Sequence, residues 1–218
     1  FFELAILNRI IEKQRRTATE CAHPDLERVK MFSDAVFAIA LTLLVLELKI
    51  PDDMHLNDSH AMWKGLREMM PQFKAFLLSA VLVGGNWISL MNLHRIMVKV
   101  DFFFLADLVL YLVIISLIPF CCELIGKYPD NPVSFIIFGG LCELLVVNAY
   151  FFIRHCRLKH LFHPEADLQE VKFLEKSLIV VSILLAIMIW IAFYSTNLSF
   201  FLFLVYNLIP FFVTRKLK

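Results

Sequence analysis

Six long apolar stretches, separated by short charged segments, constrain this 218-residue chain more than any other feature. A helix needs about 20 mostly apolar residues to cross a bilayer, and the stretches reach or approach that length. Composition agrees, since 60% of the residues are hydrophobic and only 19% are charged, below the usual quarter. The sequence therefore predicts an all-α membrane protein with six transmembrane helices. These cover about residues 32–50, 73–93, 102–124, 133–153, 173–193 and 198–214.

The cationic residues fall mostly on one side of these predicted helices. If the N-terminus is cytoplasmic, the cytoplasmic segments hold all but five of the 21 Lys and Arg residues. The exceptions are Lys49, Lys64, Arg67, Lys74 and Lys127. Cytoplasmic loops of membrane proteins carry such an excess of positive charge. The asymmetry therefore predicts an even number of spans, with both termini in the cytoplasm.

The chain divides into two parts at about residue 27. Residues 1–27 predict a short amphipathic helix and a polar linker, and residues 28–218 form the six-helix domain. The helix lies on the membrane surface or is a solvated leader, and both interpretations fit its pattern. Its apolar face comprises Leu4, Leu7, Ile10 and Ile11.

Several functional classes lack support in the sequence. The net charge of +1 gives no signal for a nucleic-acid partner. Phosphate-binding loops, nucleophile elbows and HExxH motifs are missing, so we expect neither an enzyme nor a bound cofactor. His155, His160 and His163 lack the spacing of metal ligands. The basic residues around them favour contact with anionic lipid over a metal site.

The first apolar helix carries one narrow, mixed stripe. Helical spacing places Ala35, Ile39, Thr42 and Leu46 on one face, with a single hydroxyl among apolar side chains. One interpretation is a helix-packing seam in which Thr42 bonds to its own backbone one turn back. The other is a pore surrounded by several copies, with hydrophobic rings that gate by dewetting and a hydroxyl ring that replaces ion hydration. One chain supplies one such helix, so a pore requires oligomerisation about a rotational axis.

Asp34 stands at the threshold of the same helix. A carboxylate there is costly unless it has partners, and it gains from the helix dipole near the N-terminal end. Arg28 and His94 are the candidate residues to neutralise it. We expect Asp34 to support the helix rather than to coordinate ions.

The segment from residue 28 to residue 51 resembles a known family. Arg28-x-x-x-Phe32-Ser33-Asp34, followed by the apolar run that ends at Pro51, is similar to the signature of the transmembrane protein 175 family of endosomal and lysosomal potassium channels. The likeness is closer to the single-repeat prokaryotic members. It continues more weakly through Asn92-Leu93-His94-Arg95 and Asp101.

The resemblance implies a specific architecture and a set of roles. Such channels prefer potassium, lack a TVGYG filter, and assemble as homotetramers with the first helices around the pore. Potassium is then the permeant ion, and the protein resides in a prokaryotic cell membrane. The matching pore positions are Ile39 as the hydrophobic constriction, Thr42 as the hydroxyl layer and Leu46 as a second ring. Arg28, Phe32, Ser33, Asp34 and His94 match the residues that hold the pore helix in place.

The chain departs from the family pattern near the end of its second span. Asn92 and Leu93 precede His94 where many relatives carry a second histidine, and the expected tryptophan is displaced to Trp87. These departures leave the partners of Asp34 open.

Other functions compete with a channel. Glu143 lies midway along the fourth span, where it would serve a proton-coupled or cation secondary transporter. Pairing between helices is the simpler use of this residue, and of Glu47 and Glu123. Broken helices favour transporters, and the first helix contains no Gly or Pro break. A non-conducting subunit is a further alternative.

Overall fold

The structure is a computed structural model that describes residues 24–50, 59–164, 168–195, 198–199 and 201–203. Seven helices of ten residues or more lie in these ranges. They are α1 (Pro24–Leu46), α2 (Ser59–Glu68), α3 (Met70–Arg95), α4 (Phe102–Ser116), α5 (Ile118–Lys127), α6 (Pro132–Leu158) and α7 (Leu168–Ala192). The amphipathic helix predicted before Pro24 lies outside the described residues.

Five segments of the described chain are long and apolar enough to cross a membrane. They are Leu26–Leu46, Met70–Arg95, Phe102–Lys127, Pro132–Leu158 and Val171–Ala192, which correspond to the first five predicted spans. The predicted sixth span, at residues 198–214, lies mostly beyond the described residues. The structure therefore shows an all-helical membrane protein with at least five apolar spans.

The first helix is displaced towards the N-terminus relative to its prediction. It begins at Pro24, eight residues before the predicted span, and it ends at Leu46 rather than at residue 50. Proline suits the first position of a helix, because its ring presets φ and its missing N–H needs no partner there. At the other end, Glu47 N and Leu48 N donate to Leu44 O and Val45 O, so the last turn tightens and the helix stops before Pro51.

The predicted third span is divided into two helices. α4 ends at Ser116 and α5 begins at Ile118, with Pro119 in the first turn of α5. Proline cannot donate a backbone hydrogen bond and clashes with the preceding turn, so it ends the ladder of α4. α5 then packs against α3 and α6 at the end of the bundle where α1 ends.

α2 was not predicted. Residues 51–71 resemble a solvated acidic loop in the sequence, yet Ser59–Glu68 form a short amphipathic helix, with Gly65 buried and Trp63 exposed. Residues 51–58, which include the acidic start of this loop, lie outside the described residues.

The spans pack in a chain of neighbouring pairs. α6 and α7 share the most extensive contact, α4 packs on α6, and α1 packs on α3 and α4. Large aromatic residues fill the interior, such as Phe104 and Phe152, whose ring centroids lie 4.8 Å apart. Burial of α1 against its two neighbours fixes which face of that helix remains open.

Candidate pore helix and its supports

The two faces of α1 differ in what covers them. Leu44 is fully buried, and Ser33, Phe37 and Ala40 are no more than 2% exposed, on the side that packs against α3 and α4. The predicted stripe lies on the other side. Ile39 is 58% exposed, Leu46 is 66% exposed, and Ala35 and Thr42 are also exposed. The described part of the chain therefore leaves all four stripe residues open to another copy, a pore or lipid.

α1 is the least covered of the five candidate spans. In the most apolar part of each span, a smaller share of the residues is buried in α1 than in any of the other four described spans. Its open face also contains small residues, Ala35 and Ala38, which allow close approach of another helix. The open face of α1 is thus available to lipid or to further protein.

The hydroxyl of Thr42 is bonded to its own helix. Thr42 Oγ1 donates to Ile39 O at 2.8 Å. This is the backbone contact expected of a packing seam, but it is also compatible with a pore. A cation is bound by oxygen lone pairs rather than by the hydroxyl hydrogen, and the hydrogen here is already directed at the backbone. The contact leaves the oxygen on the open face as an acceptor.

Asp34 receives its hydrogen bond from α3. Trp87 Nε1 donates to Asp34 Oδ1 at 2.8 Å, which joins the exposed start of the stripe to the neighbouring span. Arg28 and His94, the partners considered from the sequence, make no hydrogen bond or ion pair to Asp34 among the described residues. The displaced position of Trp87 was the sequence feature that pointed to this partner.

The remaining signature residues are placed differently from one another. Ser33 is buried, and its hydroxyl donates to Val29 O at 2.9 Å, within α1 rather than to a neighbouring helix. Phe32 is 56% exposed and Arg28 is exposed. His94 is buried on α3, with its ring 6.3 Å from the ring of Phe104. Asp34 is the member whose hydrogen bond crosses between helices.

The sequence matches a known family over this same region. The model of the family described as "Endosomal/lysosomal potassium channel TMEM175" matches residues 28–119, which contain α1 to α4 and the start of α5. All the predicted pore and support residues lie within that match. This part of the chain is similar to the TMEM175 family.

Three bacterial proteins are among the relatives of this chain. A protein named as a potassium channel from Chamaesiphon minutus is 28% identical over 153 residues, covering 68% of this chain and 75% of the relative. One from Streptomyces collinus is 26% identical over 145 residues, covering 64% and 69%. A third, from a Chryseobacterium species, is 34% identical over 109 residues, covering 49% and 53%.

A solved structure shares the fold. The crystal structure of a lysosomal potassium-selective channel TMEM175 homolog from Chamaesiphon minutus superposes with a TM-score of 0.77 at 22% sequence identity. The match covers 88% of this chain and 99% of the other. The described helices therefore follow the fold of that channel.

Polar residues elsewhere in the spans pair between helices. Asn148 Nδ2 donates to Asp107 Oδ1 at 2.7 Å between α6 and α4, and Tyr111 OH donates to Asn86 Oδ1 at 2.7 Å between α4 and α3. Glu143 accepts a hydrogen bond from Ser182, which joins α6 to α7. α1 makes its principal contacts with α3, α4 and α5 instead. Glu143 thus serves the helix pair that is remote from the stripe.

An ion-pair cluster holds the other end of α1. Lys49 Nζ lies 3.2 Å from Glu123 Oε1 and 3.7 Å from Glu47 Oε2, and Lys127 Nζ lies 2.7 Å from the same oxygen of Glu123. Because α1 ends at Leu46, Lys49 lies beyond the helix, and its side chain extends to Glu123 on α5. Sequence spacing did not predict this contact, which joins positions 74 residues apart.

Proposed function

We propose that this chain forms a passive, potassium-preferring cation channel in which four copies surround a pore lined by α1. The named bacterial relatives support potassium as the permeant ion, and the match of residues 28–119 to the TMEM175 family supports a channel. Under this proposal the pore binds only the permeant ion, conduction needs no cofactor, and the protein is not an enzyme. The membrane is the prokaryotic cell membrane, with both termini in the cytoplasm.

The division of α1 into two faces is the observation that carries the proposal. One face is fully used in packing against α3 and α4, and the other holds Ile39, Thr42 and Leu46 in the open. A rotational axis beside the open face brings four identical stripes together. Apolar and hydroxyl side chains then form successive rings.

The rings have a defined order along the pore. At about 1.5 Å rise per residue, Ile39 and Thr42 lie about 4.5 Å apart along the helix, and Thr42 and Leu46 about 6 Å apart. Ile39 and Leu46 form hydrophobic constrictions that exclude water when narrow. Thr42 places four hydroxyl oxygens between them, where they substitute for part of the hydration shell of an ion. Selection among cations is assigned to this hydroxyl layer.

Asp34 has a supporting role in this proposal. Its carboxylate accepts the indole N–H of Trp87, so the start of α1 is fixed to α3 while the stripe faces the axis. Lys49 and Glu123 make the corresponding attachment at the other end of the helix. With both ends attached, the ring residues keep a constant register around the axis.

Coupled transport is the weaker alternative. It requires a titratable group with access to the transported ion, and Glu143 lies at the contact of α6 with α7, where one of its oxygens accepts from Ser182. α1 is also a continuous helix from Pro24 to Leu46, without the break typical of transporter ion sites. Passive conduction through α1 fits these contacts better.

Ion flux measurements on reconstituted protein test the proposal. We expect Ile39→Asn to raise potassium conductance, because a polar ring no longer excludes water. Thr42→Ala is expected to lower the ratio of potassium to sodium permeability, whereas Thr42→Ser should retain it. The matched control is Ile183→Asn, which changes an Ile of similar exposure on α7. The proposal fails if the two stripe variants conduct like the control.

A further inference from the structure

Cations and exposed aromatic side chains meet at the end of the bundle where α4 begins and α6 ends. We define the basic–aromatic patch as Lys99, Phe102, Phe103, Arg154 and Lys159. Phe102 is 77% exposed and Phe103 is 67% exposed, and the three cationic residues are also exposed. Neither the channel proposal nor the family match assigns a role to this surface.

Contacts between the two helices hold the patch together. Asp101 caps α4 by accepting from Phe104 N at 2.7 Å, and its other oxygen lies 2.9 Å from His155 Nε2 on α6. The ring of Phe103 lies 6.0 Å from the ring of His155. Close by, Val98 N donates to Leu161 O at 3.0 Å and joins the two connecting segments. The aromatic and cationic halves therefore keep a fixed relative position.

Asp101, the acidic group nearest the patch, is bonded within the protein to Phe104 N and His155. Partial burial on its own raises the pKa of Asp101. The N–H of Phe104, the side chain of His155 and the charge of Lys159 together outweigh that effect, so the pKa of Asp101 lies below its usual range. Asp101 is thus ionised at neutral pH, and its oxygens face the cap and His155. It is the carboxylate through which α4 is fixed to α6.

The cations of the patch are not neutralised by ion pairs. Among the described residues, Lys99, Arg154 and Lys159 have no carboxylate within ion-pair distance, in contrast to Arg157, which binds both oxygens of Glu175 at 2.6 and 2.9 Å. Arg154 NH1 instead donates to Tyr150 OH at 2.7 Å, with the guanidinium 5.9 Å from the centre of the same ring. This contact positions the guanidinium and leaves its other N–H groups available.

The location determines which partner fits. α4 begins and α6 ends at the boundary of two apolar spans, where hydrocarbon gives way to headgroups. Phe102 and Phe103 are suited to the hydrocarbon side, and the three cations to the phosphate side. We propose that the basic–aromatic patch binds an anionic phospholipid, with its phosphodiester against Lys99, Arg154 and Lys159 and an acyl chain against the two phenylalanines. A soluble acidic protein or a nucleic acid would supply negative charge for the cations but no hydrocarbon for the two phenylalanines.

Spin-labelled lipids measure this preference directly. Full-length protein is reconstituted in phosphatidylcholine, and the association of labelled phosphatidylglycerol is compared with that of labelled phosphatidylcholine by electron paramagnetic resonance. Each patch cation near the headgroups contributes about 1 kcal/mol, so Arg154→Gln should lower the preference about fivefold at low salt. Arg154→Lys should retain most of it. The triple variant Lys99→Gln/Arg154→Gln/Lys159→Gln should abolish it.

A control at the other end of the bundle separates a site from general charge. Lys64→Gln/Arg67→Gln/Lys74→Gln removes the same charge from exposed residues on α2 and the start of α3. This control should retain the wild-type preference, and Phe102→Ser should weaken the association of both lipids. The proposal is overturned if the patch triple variant keeps the wild-type preference, or if the control triple loses as much. It is also overturned if inorganic phosphate binds through the patch cations while labelled phosphatidylglycerol shows no preference over phosphatidylcholine, since the site would then bind a free anion.

Discussion

The contact between Asp34 and Trp87 links the helix with the open stripe to the neighbouring span. It is a hydrogen bond from a neutral indole to a carboxylate at 2.8 Å, on the exposed side of α1. Hydrogen bonds to charged groups contribute about 1.5–3 kcal/mol, more than those between neutral groups. The partial exposure of this pair places it at the lower end of that range.

Replacing the indole tests this attachment. Trp87→Phe keeps an aromatic ring but removes the donor, so we expect the assembly to lose about 1–2 kcal/mol of stability. Ion flux should fall, because the register of α1 is less well fixed, while the ratio of potassium to sodium permeability stays unchanged. Thermal unfolding in detergent and flux in vesicles measure the two effects. Asp34→Asn should alter assembly or conductance in the same direction.

Trp190→Phe is the matched control, since Trp190 is 62% exposed on α7 and remote from Asp34. Equal melting temperatures and fluxes for the two Trp variants would show that the hydrogen bond has no supporting role.

At the scale of residues, helical spacing predicted the stripe but not the partner of Asp34. Ala35, Ile39, Thr42 and Leu46 share a face because a single helix fixes their relative directions, and the structure leaves all four exposed. The partner of Asp34 lies 53 positions away on another helix. This contact depends on how α1 and α3 are aligned along their length. The periodicity of each helix alone does not specify that alignment.

At the scale of elements, the contact of α6 with α7 is the most extensive in the described chain, and Gly139 lies within it. A Cβ at this position would stand 2.6 Å from Ile189 Cγ1, closer than side-chain atoms pack. The next residue, Gly140, has nothing within 4 Å of the same added atom. Two adjacent glycines on one helix thus differ in whether α7 leaves room for a methyl group.

Alanine substitutions exploit this difference. We expect Gly139→Ala to destabilise the protein by about 1–3 kcal/mol, because Ile189 must move in a close-packed contact. Gly140→Ala should be neutral or stabilising by up to about 1 kcal/mol, since alanine favours helix more than glycine does. Thermal unfolding of the two variants in the same detergent measures both effects. If Gly139→Ala melts at or above the temperature of Gly140→Ala, this description of the α6–α7 contact is wrong.

Hydropathy predicted the spans better than the breaks between helices. The first five predicted spans correspond to five apolar helical segments, because the length of a span and its lack of charge are local properties. The division at Leu117 depends on how Pro119 is accommodated, and Ser59–Glu68 form a helix despite a polar composition. Both depend on packing that the average hydropathy of a segment does not record.

At the scale of the whole molecule, most described polar pairs within the spans connect one helix to another. Pairs such as Asn148 with Asp107 and Tyr111 with Asn86 connect the spans of one chain. Among the described residues, no polar side chain of another helix bonds to the stripe of α1, and the proposed assembly covers this face by bringing four copies to a common axis. The sequence and the comparisons support the fold and a likeness to the TMEM175 family, whereas the number of copies depends on contacts between chains.

An experimental structure of the assembly in lipid nanodiscs tests the proposed pore most directly. We expect four chains related by a fourfold axis, with the α1 helices innermost and Ile39, Thr42 and Leu46 directed at the axis. Thr42 oxygens should form one layer between two hydrophobic rings. An assembly in which Thr42 faces lipid, or in which another helix lines the axis, would contradict the proposed channel.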